Sequence, residues 1–230
     1  MTARYAIYYT PSEDHPLTRR AAQWLGRDAF SGQPVMRPEF SDLEDLDLDA
    51  ITADARHYGF HATLKAPFEL AAAVDEWELL AAAAAFSARK VPFEAELTVA
   101  RLERFIAITL EVPSAQMQAL HVACVREFDR FRAPLSDAEL VRRRKSHLTP
   151  EQDERLLEWG YPYVFGDFRF HMTLTGSVRE PETAARLINT LHPHFATLCG
   201  VHVFDGLAVF RQDDRDQPFG VLARFPCEGA

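Results

Sequence analysis

The chain has 230 residues, of which 47% are apolar and 26% are charged. These proportions are ordinary for a folded domain and exclude an intrinsically disordered chain. The formal net charge of −9 disfavours tight, non-specific binding of long nucleic acids, because an acidic surface repels polyanions. A small anionic ligand in a locally basic cleft is compatible with this charge.

Cysteine usage and hydropathy indicate the cellular compartment. The three cysteines, Cys124, Cys199 and Cys227, form no CxxC pair, which is typical of a reducing compartment. The first residues lack the apolar region of a signal peptide, and no apolar run reaches the roughly 18 residues that span a bilayer. We therefore expect a cytoplasmic protein that binds no membrane.

The first quarter of the chain is predicted to contain two strands and a helix. Aromatic and β-branched residues predict a strand at residues 4–10. A helix follows over 17–25 and ends at Gly26. Residues 31–54 are rich in Gly, Pro and Asp and predict a segment that runs over the surface. Residues 56–66 (RHYGFHATLKA) are predicted to form a second strand.

The middle of the chain predicts helices around a pair of strands. An alanine run predicts a helix over 73–90, and two strands follow near 92–100 and 104–112. Apolar residues at three- and four-residue steps predict a helix that begins at Pro113 and ends before Pro134. These elements indicate an α+β protein.

Residues 134–165 differ in composition and are predicted to be a helical insertion. A basic run at 142–145 (RRRK) stands out in an acidic protein. Thr149 and Gln152 form a capping-box pattern, which predicts a helix from Pro150 that ends at Gly160. The basic run is either a solvated helix face or a lid that carries a cation to a second phosphate group.

The last part of the chain predicts one helix among strands. Residues 166–176 predict a strand, and a helix is predicted over 181–193. Three strands near 199–204, 207–212 and 219–225 follow. Both the strand at 166–176 and the strand at 56–66 are thus followed by a turn, a helix and paired strands.

A five-residue repeat accompanies this repeated order. Phe-His-Ala-Thr-Leu at 60–64 matches Phe-His-Met-Thr-Leu at 170–174 in four of five positions, 110 residues later (171 − 61). Internal repetition predicts two similar structural units. We expect two pseudo-symmetric lobes, each with an antiparallel sheet backed by helices, and a catalytic cleft between them.

The expected lobes belong to one domain that spans residues 1–230. The first motif lobe is predicted at about 55–133 and the second at about 166–225. The helical insertion at about 134–165 separates them.

Strand geometry explains the spacing within each motif. Side chains alternate between the two faces of a strand, so the histidine and the threonine of one motif point the same way. The apolar residues between them point to the opposite face and can pack on helices. If two such lobes face each other, His61, Thr63, His171 and Thr173 converge in one cleft.

This residue set suits phosphodiester cleavage. Histidine titrates near neutral pH, so His61 and His171 can serve as a base and an acid. The hydroxyl groups of Thr63 and Thr173 can donate hydrogen bonds to phosphate oxygens as charge develops. In a regular strand Lys65 shares their face and adds a cation, whereas the second motif has Thr175 at that position, so the cleft is predicted to be asymmetric.

Together these features resemble the two-histidine phosphoesterase superfamily, whose signature is a pair of His-x-Ser/Thr motifs on two lobes. The sequence is also similar to the branch of that superfamily named for phosphonate metabolism. The similar stretches are 4–8 (RYAIY), 24–28 (WLGRD), 58–68 (YGFHATLKAPF) and 168–176 (FRFHMTLTG).

The resemblance implies a hydrolase that is linked to cleavage of carbon–phosphorus bonds. That pathway produces a ribose 1,2-cyclic phosphate that bears a 5-phosphate, and a cyclic phosphodiesterase is the step that such a protein could supply. We therefore expect a phosphoric diester hydrolase whose partner is a small phosphorylated sugar or nucleotide. The sequence predicts no oligomeric state.

Further residues are weaker candidates for binding the substrate. They are Tyr5, Tyr8, Arg56, Tyr58, Tyr163 and Arg169, with Arg142 and Arg143 of the basic run. No cofactor is expected, because the chain has no glycine-rich phosphate loop. No metal site is expected either, since His57, His192 and His194 lie in no metal-binding motif.

Two other functions are compatible with the same residues. The site could act on RNA ends, as 2′,3′-cyclic phosphodiesterases and their ligase relatives do, although the acidic charge weighs against it. The chain could also be a non-catalytic module that binds a nucleotide or phosphate. Intact histidine and threonine in both motifs weigh against that reading.

Overall fold

The computed structural model describes residues 3–229 of the chain. Eight strands and seven α-helices lie in this range. The strands are β1 (Arg4–Tyr9), β2 (Ala62–Glu69), β3 (Phe93–Leu102), β4 (Phe105–Leu110), β5 (His171–Thr173), β6 (Gly200–Phe204), β7 (Gly206–Gln212) and β8 (Gly220–Pro226). The helices are α1 (Pro16–Leu25), α2 (Leu48–Tyr58), α3 (Glu76–Ala88), α4 (Ala115–Glu127), α5 (Asp137–Arg144), α6 (Pro150–Trp159) and α7 (Pro181–Phe195).

The eight strands form one antiparallel sheet in the order β6-β3-β4-β5-β2-β1-β7-β8. The order is symmetric about its centre, where β5 pairs with β2. One half of the sheet consists of β2-β1-β7-β8, and the other consists of β5-β4-β3-β6. The α+β fold with two pseudo-symmetric lobes is therefore confirmed, and the two predicted sheets are joined edge to edge.

The strands that follow each motif lie in the opposite half of the sheet. The hairpin β3–β4 comes after the first motif in sequence, but β4 pairs with β5, which carries the second motif. The hairpin β7–β8 comes after the second motif, but β7 pairs with β1 beside the first motif. The lobe limits at about 55–133 and 166–225 stay a prediction, because neither sheet half is one continuous stretch of chain.

One face of the sheet packs on helices and contains the main hydrophobic core. As predicted, the apolar residues of both motifs lie in this core. They are Phe60, Ala62, Leu64, Phe170, Met172 and Leu174. Trp24 of α1 is fully buried, and its indole N–H donates a hydrogen bond to the carbonyl of Leu174 at 2.8 Å. A smaller cluster around Tyr8 and Phe210 lies on the other face, where the polar residues of the motifs are found.

The strand predicted at 56–66 is wrong over its first half. Residues up to Tyr58 belong to α2, which begins where the side chain of Asp47 accepts a hydrogen bond from the amide of Ala50 at 3.0 Å. Good helix formers and this cap outweigh the aromatic pattern near Tyr58. His57 is consequently on a helix and does not share a strand face with His61.

The strand predicted at 166–176 is also shorter in the structure. Only His171–Thr173 pair as β5, because residues 165–167 form a 3-10 turn. Both helices of the insertion are present, and the predicted capping box of Thr149 and Gln152 is found at the start of α6. Within residues 3–229, none of the helices combines the length and apolar character needed to cross a membrane.

Candidate active site

The register of the central strand pair brings the two motifs together. Ala62 and Met172, the middle residues of the two motifs, face each other across β2 and β5. In an antiparallel pair, the next residues in each direction are also opposite each other. Each histidine is therefore placed across from the threonine of the other motif. The resulting pairs are His61 with Thr173 and His171 with Thr63.

Both imidazole rings are anchored in the same way. Nδ1 of His61 lies 2.9 Å from the carbonyl oxygen of Gly59, and Nδ1 of His171 lies 2.7 Å from that of Arg169. A carbonyl oxygen only accepts, so Nδ1 of each ring carries the donated proton. In the neutral form, Nε2 of each ring then carries no proton and can accept one.

Gly59 has a backbone conformation that the anchoring of His61 requires. It ends α2 with φ of 76°, a region that side chains other than glycine rarely adopt. A Cβ atom there would lie 2.7 Å from Cβ of Ala29. Sequence reasoning missed this residue, and its only signal is a glycine two positions before the histidine.

His61 is held as a neutral base between aromatic and hydroxyl groups. Its ring stacks on Tyr8 with 3.7 Å between ring centroids, and Nε2 lies 3.3 Å from Oγ1 of Thr63. Burial is the main cause that lowers the pKa of His61 to about 4; the nearby His171 acts in the same direction and the Gly59 carbonyl in the opposite one. His61 is therefore neutral near pH 7.

His171 lies at the wall of a cavity of about 450 Å³. Burial lowers the pKa of His171 too, and its hydrogen bond to the Arg169 carbonyl partly offsets this. A cavity of this size is in the range of small-molecule sites. Polar and charged residues that line it include Thr63, Lys65, Tyr161, Tyr163, Arg169 and His171.

A β-bulge changes the orientation expected for Lys65. Tyr8 pairs with Thr63, but the preceding residue, Ile7, pairs with Lys65, so Leu64 is an extra residue in β2. Residues paired across two strands point to the same face of a sheet. Lys65 is thus turned to the face of Ile7, and the orientation predicted from a regular strand is not found.

The Lys65 ammonium is occupied by contacts within the protein. It donates to a carboxylate oxygen of Asp129 at 2.9 Å and to the carbonyl of Val125 at 3.2 Å. Only 3% of the residue is exposed, and burial lowers the pKa of its ammonium while Asp129 opposes the shift. Asp129 also accepts from Arg132 at 2.9 Å. Lys65 is better placed to tie β2 to α4 than to bind a ligand.

We expect Lys65→Met to lower the free energy of unfolding by about 1–3 kcal/mol, because it leaves the Asp129 carboxylate with only one cation. The change in kcat/KM of the folded variant should be small. Urea denaturation and steady-state kinetics measure the two quantities, with Lys145→Met on the exposed part of the basic run as a control. Unchanged stability together with a raised KM would instead make Lys65 a substrate-binding residue.

Besides His171, the cavity wall contains His121 of α4, which sequence reasoning missed. Its Nδ1 lies 3.0 Å from the carbonyl of Leu64, and its Nε2 accepts from the amide of Phe165 at 3.1 Å. The ring also stacks on Phe168 with 3.8 Å between centroids. Because both nitrogens have partners, His121 supports the cavity wall and has no free nitrogen for proton transfer.

Besides Tyr8, which stacks on His61, three of the weaker candidates lie at the site. Tyr163 and Arg169 line the cavity, and the ring of Tyr58 lies 6.2 Å from that of His61. Tyr161 also lines the cavity, although the sequence did not single it out.

Two other candidates are engaged elsewhere. The hydroxyl of Tyr5 donates to Glu76 of α3 at 2.8 Å, and burial raises the pKa of Tyr5 to about 12. Arg56 forms an ion pair with Asp49 at 2.7 Å.

The basic run divides into residues with different environments. Arg142 and Arg144 form ion pairs with acidic side chains of α5 and α6, at 3.4 and 2.7 Å. Arg143 is turned inwards, and its guanidinium carbon lies 5.3 Å from the ring centroid of Tyr161.

The histidines considered for metal binding lie apart. His57 is on α2, where its Nε2 is 3.0 Å from the amide nitrogen of Gln212, and His192 and His194 are at the end of α7. Among residues 3–229, no three side chains of the types that bind metals gather in one place.

The fold and the paired motifs define the class of protein. Two His-x-Thr motifs on adjacent central strands, related by the pseudosymmetry of the sheet, form the arrangement that the resemblance to the two-histidine phosphoesterase superfamily predicts. The chain belongs to the family described as "Protein of unknown function (DUF1045)", whose model matches residues 63–220.

Similar proteins of known name include two that are about twice as long. The chain is 38% identical over 233 residues to "Ribose 1,5-bisphosphate phosphokinase PhnN" of Janthinobacterium sp. (strain Marseille), covering 98% of this chain and 51% of that protein. It is 33% identical over 216 residues to the protein of that name from Laribacter hongkongensis (strain HLHK9), covering 94% and 50%. The chain therefore spans about half the length of these curated relatives.

One solved structure to which the chain is similar is that of E. coli LigT complexed with 3′-AMP. It is 12% identical in sequence, with a TM-score of 0.44, and the comparison covers 98% of each chain.

Proposed function

We propose that this chain is a phosphodiesterase that opens a small cyclic phosphodiester with His61 as general base and His171 as general acid. The observation that carries the proposal is the register of β2 and β5, which pairs each histidine with the threonine of the other motif. A base, an acid and two hydroxyl donors around one position are what phosphodiester hydrolysis requires.

The two histidines differ in a way that supports separate roles. His61 stacks on Tyr8 and is neutral near pH 7, so its Nε2 can take a proton from water. His171 lines the cavity, where a bound phosphate anion would raise its pKa and favour the protonated form. The two histidines have different surroundings because the strands beside the motifs differ. Tyr8 of β1 lies beside Thr63, whereas Ala107 of β4 lies beside Thr173.

The proposed reaction transfers one proton from the attacking water and one proton to the leaving oxygen. The water oxygen attacks phosphorus as Nε2 of His61 takes its proton, and one phosphorus–oxygen bond of the ring breaks. His171 gives its proton to the oxygen that leaves, so one water is consumed and a phosphomonoester with a free hydroxyl is formed. The hydroxyls of Thr63 and Thr173 donate to the non-bridging oxygens, where negative charge builds up.

The preferred substrate in this proposal is ribose 1,2-cyclic phosphate with a 5-phosphate. Breaking the bond between phosphorus and O2 of this compound yields ribose 1,5-bisphosphate, the sugar in the names of the two curated relatives. A domain that makes that sugar would suit a longer protein that also phosphorylates it. A cavity of about 450 Å³ fits a ligand of this size.

A panel of substrates tests the proposal, with EDTA present throughout. The panel contains ribose 1,2-cyclic phosphate with and without the 5-phosphate, and an RNA oligonucleotide with a 2′,3′-cyclic end. We expect the highest kcat/KM for the 5-phosphorylated sugar, unaffected by EDTA because side chains supply the acid, the base and the charge stabilisation. Phosphorus NMR of the product identifies which ring bond breaks.

Each other outcome of this panel selects a different function. Preference for the RNA end would rule out the small sugar as the preferred substrate. Binding of the cyclic phosphates without turnover would make the chain a non-catalytic module. Loss of activity in EDTA, with rescue by zinc or manganese, would reveal a metal requirement.

A further inference from the structure

We infer that Arg143 forms a second anion-binding subsite beside His61, which selects substrates that carry a phosphate in addition to the one that reacts. The inference rests on the proposed function and assigns its specificity to one side chain of the insertion. It also explains why only one arginine of the basic run points inwards.

Arg143 is a partly buried cation with an unused hydrogen-bond donor. Its Nε is buried and has no hydrogen-bond partner among residues 3–229, and its guanidinium lies over the ring of Tyr161. Burial lowers the pKa of its guanidinium, as expected for a charge that has been moved away from water. A buried donor without a partner is costly, so a ligand that satisfies it gains binding energy.

The position of Arg143 is fixed by ion pairs around it. Glu139, one turn earlier on α5, pairs with Arg142 at 3.4 Å and with Arg215 at 3.1 Å. Arg215 lies in the turn between β7 and β8, so these contacts tie α5 to the half of the sheet that carries the first motif. Glu139 is thereby neutralised by other cations, and Arg143 keeps its positive charge for a ligand.

Tyr161 connects this subsite to the cavity. Its ring supports Arg143 and lines the same cavity as Thr63 and His171. Tyr58 lies close enough to Tyr8 and Tyr161 for its phenol to raise the pKa of each, after the larger effect of burial. Because Tyr8 stacks on His61, the tyrosines link the subsite to the side of the sheet that carries the proposed base.

A second buried guanidinium adds to the positive potential. Arg4 is on the same face of β1 as Tyr8 and is 8% exposed. Its Nε donates to the amide oxygen of Gln212 at 2.8 Å, a neutral partner, and its guanidinium lies 5.3 Å from the ring centroid of Phe219. Neither arginine has a carboxylate partner in the part of the chain that the structure describes, and the two cations form a local site for an anion in a chain of net charge −9.

The guanidinium group matches a terminal phosphate. Its planar fork can donate two parallel hydrogen bonds to phosphate oxygens, which an ammonium cannot do. A phosphomonoester also carries more charge than the cyclic diester that reacts. The subsite is therefore expected to hold the non-reacting phosphomonoester and to place the ring phosphate at the histidines.

The test is kcat/KM of Arg143→Gln with two substrates that differ only in the 5-phosphate. We expect a loss of about 10–100-fold for the 5-phosphorylated sugar, as for a lost charged hydrogen bond, and little change for the analogue without it. Arg144→Gln is the matched control, because Arg144 pairs with Asp153, and it should change neither value much. Arg143→Lys, which keeps the charge and loses the fork, should recover only part of the loss.

Binding of ribose 5-phosphate, measured by calorimetry, separates this inference from the proposed reaction. If no cyclic phosphate is turned over, binding by the wild-type protein and its loss in Arg143→Gln still support the subsite. Equal losses for both substrates, or equal effects of Arg143→Gln and Arg144→Gln, overturn it. Unchanged ribose 5-phosphate binding in a folded Arg143→Gln variant overturns it as well.

Discussion

Replacement of His61 or His171 by alanine is expected to lower the turnover of a cyclic phosphate by about 10²–10⁴-fold, the usual contribution of a positioned acid or base. The double variant should be little worse than the poorer single variant, because groups that act in one step are not additive. Steady-state kinetics on folded variants measures this. Turnover near the wild-type value in either single variant contradicts the assignment.

The leaving group distinguishes the acid from the base. A nitrophenyl phosphodiester releases an anion that needs no protonation, so it should restore much of the activity of His171→Ala and little of that of His61→Ala. The opposite pattern would exchange the two roles. Equal effects on both variants would show that neither histidine protonates the leaving oxygen.

The pH dependence of kcat/KM provides an independent check. Activity requires neutral His61 and is lost as pH falls through its pKa, which is about 4. It also requires protonated His171 and is lost as pH rises through a pKa that lies below 6.5. We expect a bell-shaped profile with its maximum on the acid side of pH 6.5, and no fall at high pH in His171→Ala with the nitrophenyl substrate. The two apparent pKa values of this profile describe the pair of histidines together, since the charge of His171 lowers the pKa of His61.

Replacement of Thr63 or Thr173 by valine is expected to lower kcat by about 10²–10³-fold, as for the loss of one donor to a developing oxyanion. Valine keeps the shape of threonine and removes only the hydroxyl, so the effect should fall on kcat more than on KM. Thr63→Ser and Thr173→Ser retain the donor and are the matched controls. Valine variants as active as the serine variants would contradict a role for these hydroxyls.

The sequence predicted the faces of the two motif strands better than their lengths, because the alternation of apolar and polar residues is periodic and repeated. The alternation within each motif predicted which residues face the core, and all six apolar residues lie there. It did not predict the register that pairs Ala62 with Met172, because pairing between strands 110 residues apart depends on the whole sheet.

Local deviations from regular structure were not visible in the sequence. The bulge at Leu64 turns Lys65 away from Thr63, and strand alternation alone assumes that no such residue is inserted. The positive φ at Gly59 is allowed by its residue type, but the approach of Ala29, which leaves no room for a Cβ atom there, depends on tertiary packing. Arg143 differs from its neighbours in the basic run only through contacts with other elements.

The exchange of hairpins between the sheet halves has a consequence for synthesis of the chain. β1 and β2 can pair once residues 4–69 have left the ribosome, but their outer neighbours β7 and β8 span 206–226. The partner half likewise waits for β6, at 200–204. Contacts of such long sequence separation slow folding. The nascent chain therefore carries an unpaired edge at β1 from residue 69 to residue 206 and a second one at β3 from residue 110 to residue 200, and such unpaired strands are prone to aggregation.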